Sequence, residues 1–269
     1  MPAIVIASAS TKGGTGKTSL AKFYGITKVQ EGKRVLIIDL CQNSDVATRL
    51  GYDRTSFKYD AYDWASGEVT FKNALQHDEE TGIDFIPGSN NVPKIRELAE
   101  KKRVIKQEWF LEDLIEPIRA YYDYIIIDTH PTESDRMLVM SLIASSLALL
   151  PTIMDKSSVV ATARTIEIIT DLINSGIELD YQIVPMAVDF SRGFKKELDG
   201  FYAAFQEVDI NQFTPPIRYS SVINRASMND QVVDLSNKYM KKVLGDYQEL
   251  SAYLDTIAKP KKISTASFE

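Results

Sequence analysis

Apolar residues in this chain come in two patterns. One is the short continuous run: Ala3-Ile4-Val5-Ile6-Ala7, Val35-Leu36-Ile37-Ile38, Tyr124-Ile125-Ile126-Ile127, residues 147–151 and Gln182-Ile183-Val184-Pro185-Met186. A strand that is apolar without alternation is buried on both faces, as in a parallel sheet covered by helices on each side. The other is helical spacing, which predicts helices over residues 19–30, 92–103, 109–118, 157–173 and 232–257. Residues 83–88 read as a further short strand and turn. Residues 52–82 read as one or two short helices, with Trp64 and Phe71 on an apolar stripe. Gly32 is placed to stop the first helix, Pro93 fits a first turn, and Pro117 kinks or ends its helix. Strands alternating with helices predict an α/β fold: a mostly parallel, centrally buried β-sheet with helices on both faces. Residues 1–258 read as a single domain and residues 259–269 as a short polar tail.

The junction of the first strand and first helix carries the clearest chemistry: Lys12-Gly13-Gly14-Thr15-Gly16-Lys17-Thr18-Ser19. Strand, glycine loop and helix together form the context of a phosphate-binding loop. Glycines let main-chain N–H groups turn inward, and the positive end of the following helix adds to the cradle. Lys17 would reach the β- and γ-phosphates and the Thr18 hydroxyl would sit on Mg²⁺. Two later apolar runs end in aspartate, at Asp39 and Asp128. Open α/β sheets bind ligands at these carboxyl ends. A carboxylate at Asp128 would hold Mg²⁺ through one of its waters.

The loop departs from the general pattern at two places. Thr11 stands where glycine is usual, and Lys12 adds a second lysine. With that pair the stretch resembles the deviant Walker A box of the ParA/MinD class of P-loop ATPases. The resemblance runs from residue 3 to about residue 257, with three boxes in order. It implies ATP and Mg²⁺ as cofactors, a weak partner-stimulated ATPase, and a homodimer formed with ATP. Lys12 of one subunit would then read the phosphates bound by the other. The same resemblance gives catalytic roles to Lys12, Lys17 and Asp39, and metal roles to Thr18, Asp39 and Asp128. Nucleotide contacts fall to Thr11, Lys12, Gly13, Gly14, Thr15, Gly16, Lys17, Thr18 and Ser19. Met186, Pro216 and Ile217 join them, because Thr214-Pro215-Pro216-Ile217-Arg218 resembles the late segment that wraps adenine.

The second box is degraded. The family pattern is an apolar run followed by D-x-D-P-Q, and this chain reads Asp39-Leu40-Cys41-Gln42-Asn43. Cys41 stands where the family's second aspartate helps to position the attacking water. A thiol is a weak hydrogen-bond partner and does not hold water as a carboxylate does. Either hydrolysis is slow, or Gln42, Asn43 or Asp45 holds the water. The third box continues Asp128-Thr129-His130-Pro131 where D-T-P-P is common, which leaves His130 as a base or a plain loop residue.

Composition narrows the partners. The chain has 269 residues, one cysteine and a net charge of −6. One cysteine excludes an internal disulfide and a cysteine-built metal or iron–sulfur site within one chain. No basic, then long apolar, leader opens the sequence, so a cytoplasmic, nucleoid-associated protein is expected. The acidic balance argues against a coat of nucleic acid while allowing a local basic face. The resemblance implies non-specific DNA binding by the ATP dimer and a ParB-like centromere-binding partner, in segregation of plasmid or chromosomal DNA. Arg192, Lys195, Lys196, Arg218 and Arg225 are the candidate DNA contacts, and the six lysines among residues 238–262 a second patch. A MinD-like membrane role needs a bulky apolar C-terminal helix, and the tail is short and polar. A nucleotide-binding ATPase with little hydrolysis is the remaining alternative.

Overall fold

The computed structural model describes residues 2–102, 106–129, 136–191, 193–228 and 232–261. The strands in chain order are β1 (Ile4–Ser8), β2 (Val35–Leu40), β3 (Gln76–Asp78), β4 (Ile83–Ile86), β5 (Tyr124–Thr129), β6 (Leu147–Ile153) and β7 (Asp180–Met186). They form one sheet in the order β3-β4-β2-β5-β1-β6-β7. Every pair is parallel except β3–β4. Edge strand β3 has no apolar run to announce it in a segment expected to be helical. Gln76, His77 and Asp78 are made a strand by pairing with Phe85, Asp84 and Ile83.

The first six helices are α1 (Lys17–Gln30), α2 (Asp45–Leu50), α3 (Ala61–Ser66), α4 (Phe71–Ala74), α5 (Ile95–Lys102) and α6 (Phe110–Ile115). The later ones are α7 (Arg136–Ala144), α8 (Lys156–Asn174), α9 (Phe194–Ala203), α10 (Ser221–Met228) and α11 (Lys238–Leu254). Strand side chains alternate between the two faces of the sheet. Ile6, Ile37 and Ile126 meet α1, α2 and α11 on one face. Val5, Leu36, Ile38, Ile125 and Ile127 meet α3, α5, α6 and α7 on the other. A third apolar cluster packs α8 and α9 beyond β6 and β7. Trp64 and Phe71 touch as the stripe implied, with ring centroids 5.8 Å apart. No helix among the described residues is long and apolar enough to cross a membrane.

Several helix boundaries differ from the spacing-based expectation, each for a local reason. α1 starts at Lys17, two residues earlier, because Gly16 turns straight into it. Residues 92–103 open with a 3₁₀ turn, Val92–Lys94, before α5. α6 is short because a 3₁₀ segment, Glu116–Tyr121, takes over with Pro117 in its first turn. α11 begins at Lys238 rather than near residue 232, where the Asn237 side chain accepts from the Tyr239 N–H at 3.0 Å and caps it.

One buried charge ties the phosphate-loop helix to the last helix. Lys28, in α1, is 0% exposed. Its Nζ meets Asp255 at 2.6 Å and Glu31 at 3.0 Å, and lies 4.8 Å above the Tyr124 ring. Burial works against the ammonium, but hydrogen bonds to Asp255 and Glu31 outweigh it and raise its pKa. Asp255 is 48% exposed, so loss of the lysine leaves a solvated partner rather than an orphaned charge. Lys28→Met is therefore expected to destabilise the fold by about 1–2 kcal/mol. The shift in urea midpoint at unchanged slope measures it, and an unmoved midpoint would show that this pair does not hold α11.

Candidate nucleotide-binding site

The site forms where β1, β2 and β5 end together. Their parallel register sets Asp128 beside Ser8 on one side and beside Asp39 on the other. From β1 the chain runs through residues 9–16 and enters α1 at Gly16. That residue has φ +101°, a conformation that side-chain-bearing residues rarely adopt. A Cβ there would also stand 3.0 Å from Met186 Cε. Met186 thus lies against the loop, at the end of β7. The Thr11 hydroxyl donates to the Ala161 carbonyl at 3.1 Å and anchors the loop to α8.

Both loop lysines are engaged within the chain. Lys17 is 6% exposed and donates to the Lys12 carbonyl at 2.9 Å. Burial lowers its pKa, opposed by Asp128, Cys41 and Asp45. Lys12 crosses to the start of α8. Its Nζ lies 3.0 and 3.2 Å from the Asp155 carboxylate oxygens, 2.7 Å from Ser157 Oγ and 2.9 Å from Ser158 Oγ. Asp155 is also the α8 N-cap and accepts from the Ser158 N–H at 2.8 Å. Hydrogen bonds from Ser157 and Ser158, then Lys12, hold its carboxyl well below the usual range. Asp155 is thus a site residue that the motif reading missed. Its one sequence signal is an aspartate standing before a helix.

Asp39 and Asp128 are fully buried. Asp39 accepts from the N–H groups of Cys41 and Val46, each at 2.9 Å, which anchors the turn into α2. Burial, and then the neighbouring Asp128 charge, raise its pKa well above the usual range. Burial also pushes Asp128 up, to about 6, against the pull of Thr18 and Lys17. Asp128 Oδ1 and the Thr15 hydroxyl are buried without hydrogen-bond partners. Buried polar atoms are seldom left so. Two orphaned oxygens beside a buried lysine, at a loop of N–H groups, fit a hydrated divalent cation and a phosphate chain. Cys41 is buried, with Sγ 3.7 Å from Asp128 Oδ2, and burial raises its thiol pKa. A Cβ on Gly88 would collide with the Cys41 carbonyl oxygen, so glycine is needed there for close packing. No motif pointed to Gly88.

The other predicted residues are placed unevenly. Ser19 is half-buried in the first turn of α1, and Gly13 and Gly14 lie exposed on the loop. Ile217 is a core residue, packed in the same cluster as Met186. Its N–H donates to the Pro185 carbonyl at 2.8 Å and its carbonyl accepts from Val188 at 3.0 Å, so its polar groups are already paired. Pro216 beside it is half-buried. Ala187, at φ +57°, makes the bend between Met186 and this segment. Among the candidates to hold water, Gln42 and Asp45 are half-buried and Asn43 is exposed. His130 and Arg192 lie outside the described residues.

Of the basic candidates, Lys195 and Lys196 are exposed in the first turn of α9. Arg225 is exposed on α10. Arg218 is committed elsewhere: its guanidinium grips Asp246 with bonds of 2.7 and 2.6 Å and stacks 4.9 Å above the Phe190 ring. In the expected C-terminal patch, Lys261 is half-buried and folds back onto the Ile143 carbonyl and the Trp109 ring.

A family profile described as an AAA domain matches residues 3–181. The chain belongs to this family, as a P-loop ATPase of the ParA/MinD type. The chromosome partitioning protein ParA of Caulobacter vibrioides is 34% identical over 133 residues, 49% of each chain. The chain spans about half the length of the curated relatives it matches. Among solved structures, a variant of Cyanothece McdA in complex with ATP superposes with a TM-score of 0.78, at 19% identity over 98% of this chain and 99% of that one. Cobyrinic acid a,c-diamide synthase of Mycobacterium smegmatis, with an ATP analogue and magnesium, superposes with a TM-score of 0.77, at 17% identity over 97% of this chain and all of that one. At such identities the likeness shows the fold alone, and two chemistries share it.

The loop geometry makes Gly16 the sharpest point to probe in this AAA domain. Gly16→Ala strains the backbone at φ +101° and drives a methyl toward Met186. The expected result is a fold weakened by about 1–2 kcal/mol. Mg²⁺-ATP binding measured by calorimetry should fall at least about 100-fold, since the cradle's N–H groups lose their aim. Full-strength binding by the alanine variant would contradict this geometry.

Proposed function

We propose that this chain is an ATP-gated dimerising switch that binds DNA without sequence preference and positions or segregates a DNA cargo with a centromere-binding partner. The observation that carries the reading is the pair of lysines in one phosphate loop, with Lys12 tethered to Asp155 by hydrogen bonds that a ligand can replace. A chromosome partitioning protein and a cell division protein among the relatives support it.

Lys17 exchanges the Lys12 carbonyl for phosphate oxygens, and the main-chain N–H groups of residues 13–18 close around them. Thr18 and Asp128 would hold Mg²⁺. Asp39, whose oxygens already accept two N–H groups, holds the α2 turn beside them. Bound Mg²⁺ would neutralise charge on the β- and γ-phosphate oxygens. Lys12 leaves Asp155 and reaches the phosphates held by a second copy, so the nucleotide favours the dimer and its loss dissolves it. Cys41 puts a thiol, a weak hydrogen-bond partner, where a carboxylate would align a water, so the resting hydrolysis rate is low.

Lys195 and Lys196 are the best placed DNA contacts, whereas Arg218 is neutralised by Asp246. Anisotropy with a labelled random duplex, in ATP, ADP and no nucleotide at two salt concentrations, tests the reading. Binding should require ATP and weaken steeply with salt. Lys195→Ala with Lys196→Ala should flatten the salt slope by about 1 for each of the two lysines that meets a phosphate. ATP binding with no DNA binding in any state would sink the DNA part of the proposal.

The Cys41 position makes a second prediction. Cys41→Asp is expected to raise the single-turnover hydrolysis rate by about 100-fold, the range of a positioned acid–base group. Without nucleotide it should lower stability, since a third carboxylate joins Asp39 and Asp128 in a buried site. An unchanged rate would show that another group aligns the water.

A further inference from the structure

We propose that Asp39, Cys41 and Asp128 form a binding site for thiophilic divalent cations, of the zinc, cadmium and cobalt class, in which Cys41 Sγ is a direct ligand. These three residues can each offer one ligand atom, all lying within 4.8 Å of one another, and all three are buried. Such a cluster gains weight from Asp128 Oδ1, a fully buried oxygen with no hydrogen-bond partner.

The distances suit a small tetrahedral ion. A centre with bonds of about 2.3 Å to sulfur and 2.0 Å to oxygen sets the sulfur–oxygen edge near ~3.5 Å. Cys41 Sγ already lies 3.7 Å from Asp128 Oδ2. Asp39 is held by the N–H groups of Cys41 and Val46, which use one lone pair on each oxygen and leave the others for a cation. Ligands fixed by their own hydrogen bonds bind metal more tightly than loose ones. Mg²⁺ seeks oxygen donors and keeps its waters, whereas a thiolate selects softer ions. The family's aspartate would make the position oxygen-only, and Cys41 makes it mixed. On binding, the S–H bond is replaced by a sulfur–metal bond, the proton leaves to solvent and no electron is transferred. A soft cation seated here takes Asp128 away from Mg²⁺ and blocks the site.

The inference rests on reading Asp128 as a cation-holding carboxylate, and its test is separable from the nucleotide proposal. The full chain is titrated with Co²⁺ while sulfur-to-metal charge-transfer absorption is followed in the near ultraviolet. Cys41 is the only cysteine, so any such band reports this position. One equivalent of band, displaced by Zn²⁺ and not by excess Mg²⁺, is expected. Cys41→Ser should abolish it and weaken Cd²⁺ binding by about 100-fold. The ¹¹³Cd resonance of the unaltered protein reports sulfur ligation without any variant. No band and no sulfur-shifted resonance in folded protein would overturn the inference, as would equal Cd²⁺ affinity for wild type and Cys41→Ser. Mg²⁺-ATP binding by the same sample, measured in parallel, separates the two readings: nucleotide bound without a band removes only the thiophilic site, and a band without nucleotide binding removes only the ATP switch.

Discussion

The parallel register of β2 and β5 sets two buried carboxylates, Asp39 and Asp128, side by side at the end of the sheet. Much of the surrounding structure answers the energetic demand of that pair. Two charges in a low-dielectric site repel and are each starved of water. Asp39 is satisfied by folding the chain after β2 so that two N–H groups point at it, which starts α2. Asp128 faces Thr18 and Lys17 on the first turn of α1. The glycine loop is short and free enough to carry β1 into α1 at that spot. Gly88 lets the chain after β4 close over the Cys41 carbonyl. Strain and close packing gather here because the site must stay poised with its charges only partly met.

The two loop lysines supply the temporary partners. Each uses groups of the same chain, a carbonyl for Lys17 and the α8 cap for Lys12. Neither arrangement satisfies Asp128 Oδ1 or Thr15 Oγ1. A ligand that met these atoms and drew both lysines away would bind the rearranged state with a differential affinity. Such a difference is what a switch requires. Asp155 joins the loop to α8, and a groove beside it is lined by α8 and α9, the helix that carries Lys195 and Lys196. The candidate nucleotide site and the proposed DNA-facing helix are thus neighbours.

Much of this was legible in the sequence, because buried parallel strands leave unmistakable apolar runs. Those runs located β1, β2, β5, β6 and β7, and the aspartates closing two of them located the carboxylates. The phosphate loop was legible because glycine is demanded by backbone geometry, not by context. Edge strand β3 was not, since its three residues carry no apolar pattern and pair only because Ile83, Asp84 and Phe85 present a free edge. Asp155 and Gly88 were missed because their roles arise from contacts across the fold, 143 residues away in one case. Arg218 and Lys261 show the converse: a basic residue in the sequence does not reveal its partner, and here Asp246 and the carbonyl of Ile143 in α7 hold them.

The central claim is that nucleotide moves Lys12 from Asp155 in its own chain to the phosphates of a second chain. Sedimentation equilibrium with and without Mg²⁺-ATP tests it most directly, on wild type and Lys12→Ala. The account predicts a species near the 30.2 kDa chain mass without nucleotide. It predicts twice that mass with Mg²⁺-ATP, and no such increase for Lys12→Ala even though that variant still binds ATP. A wild-type chain that binds Mg²⁺-ATP and stays monomeric, or a Lys12→Ala variant that dimerises as well as wild type, would contradict it.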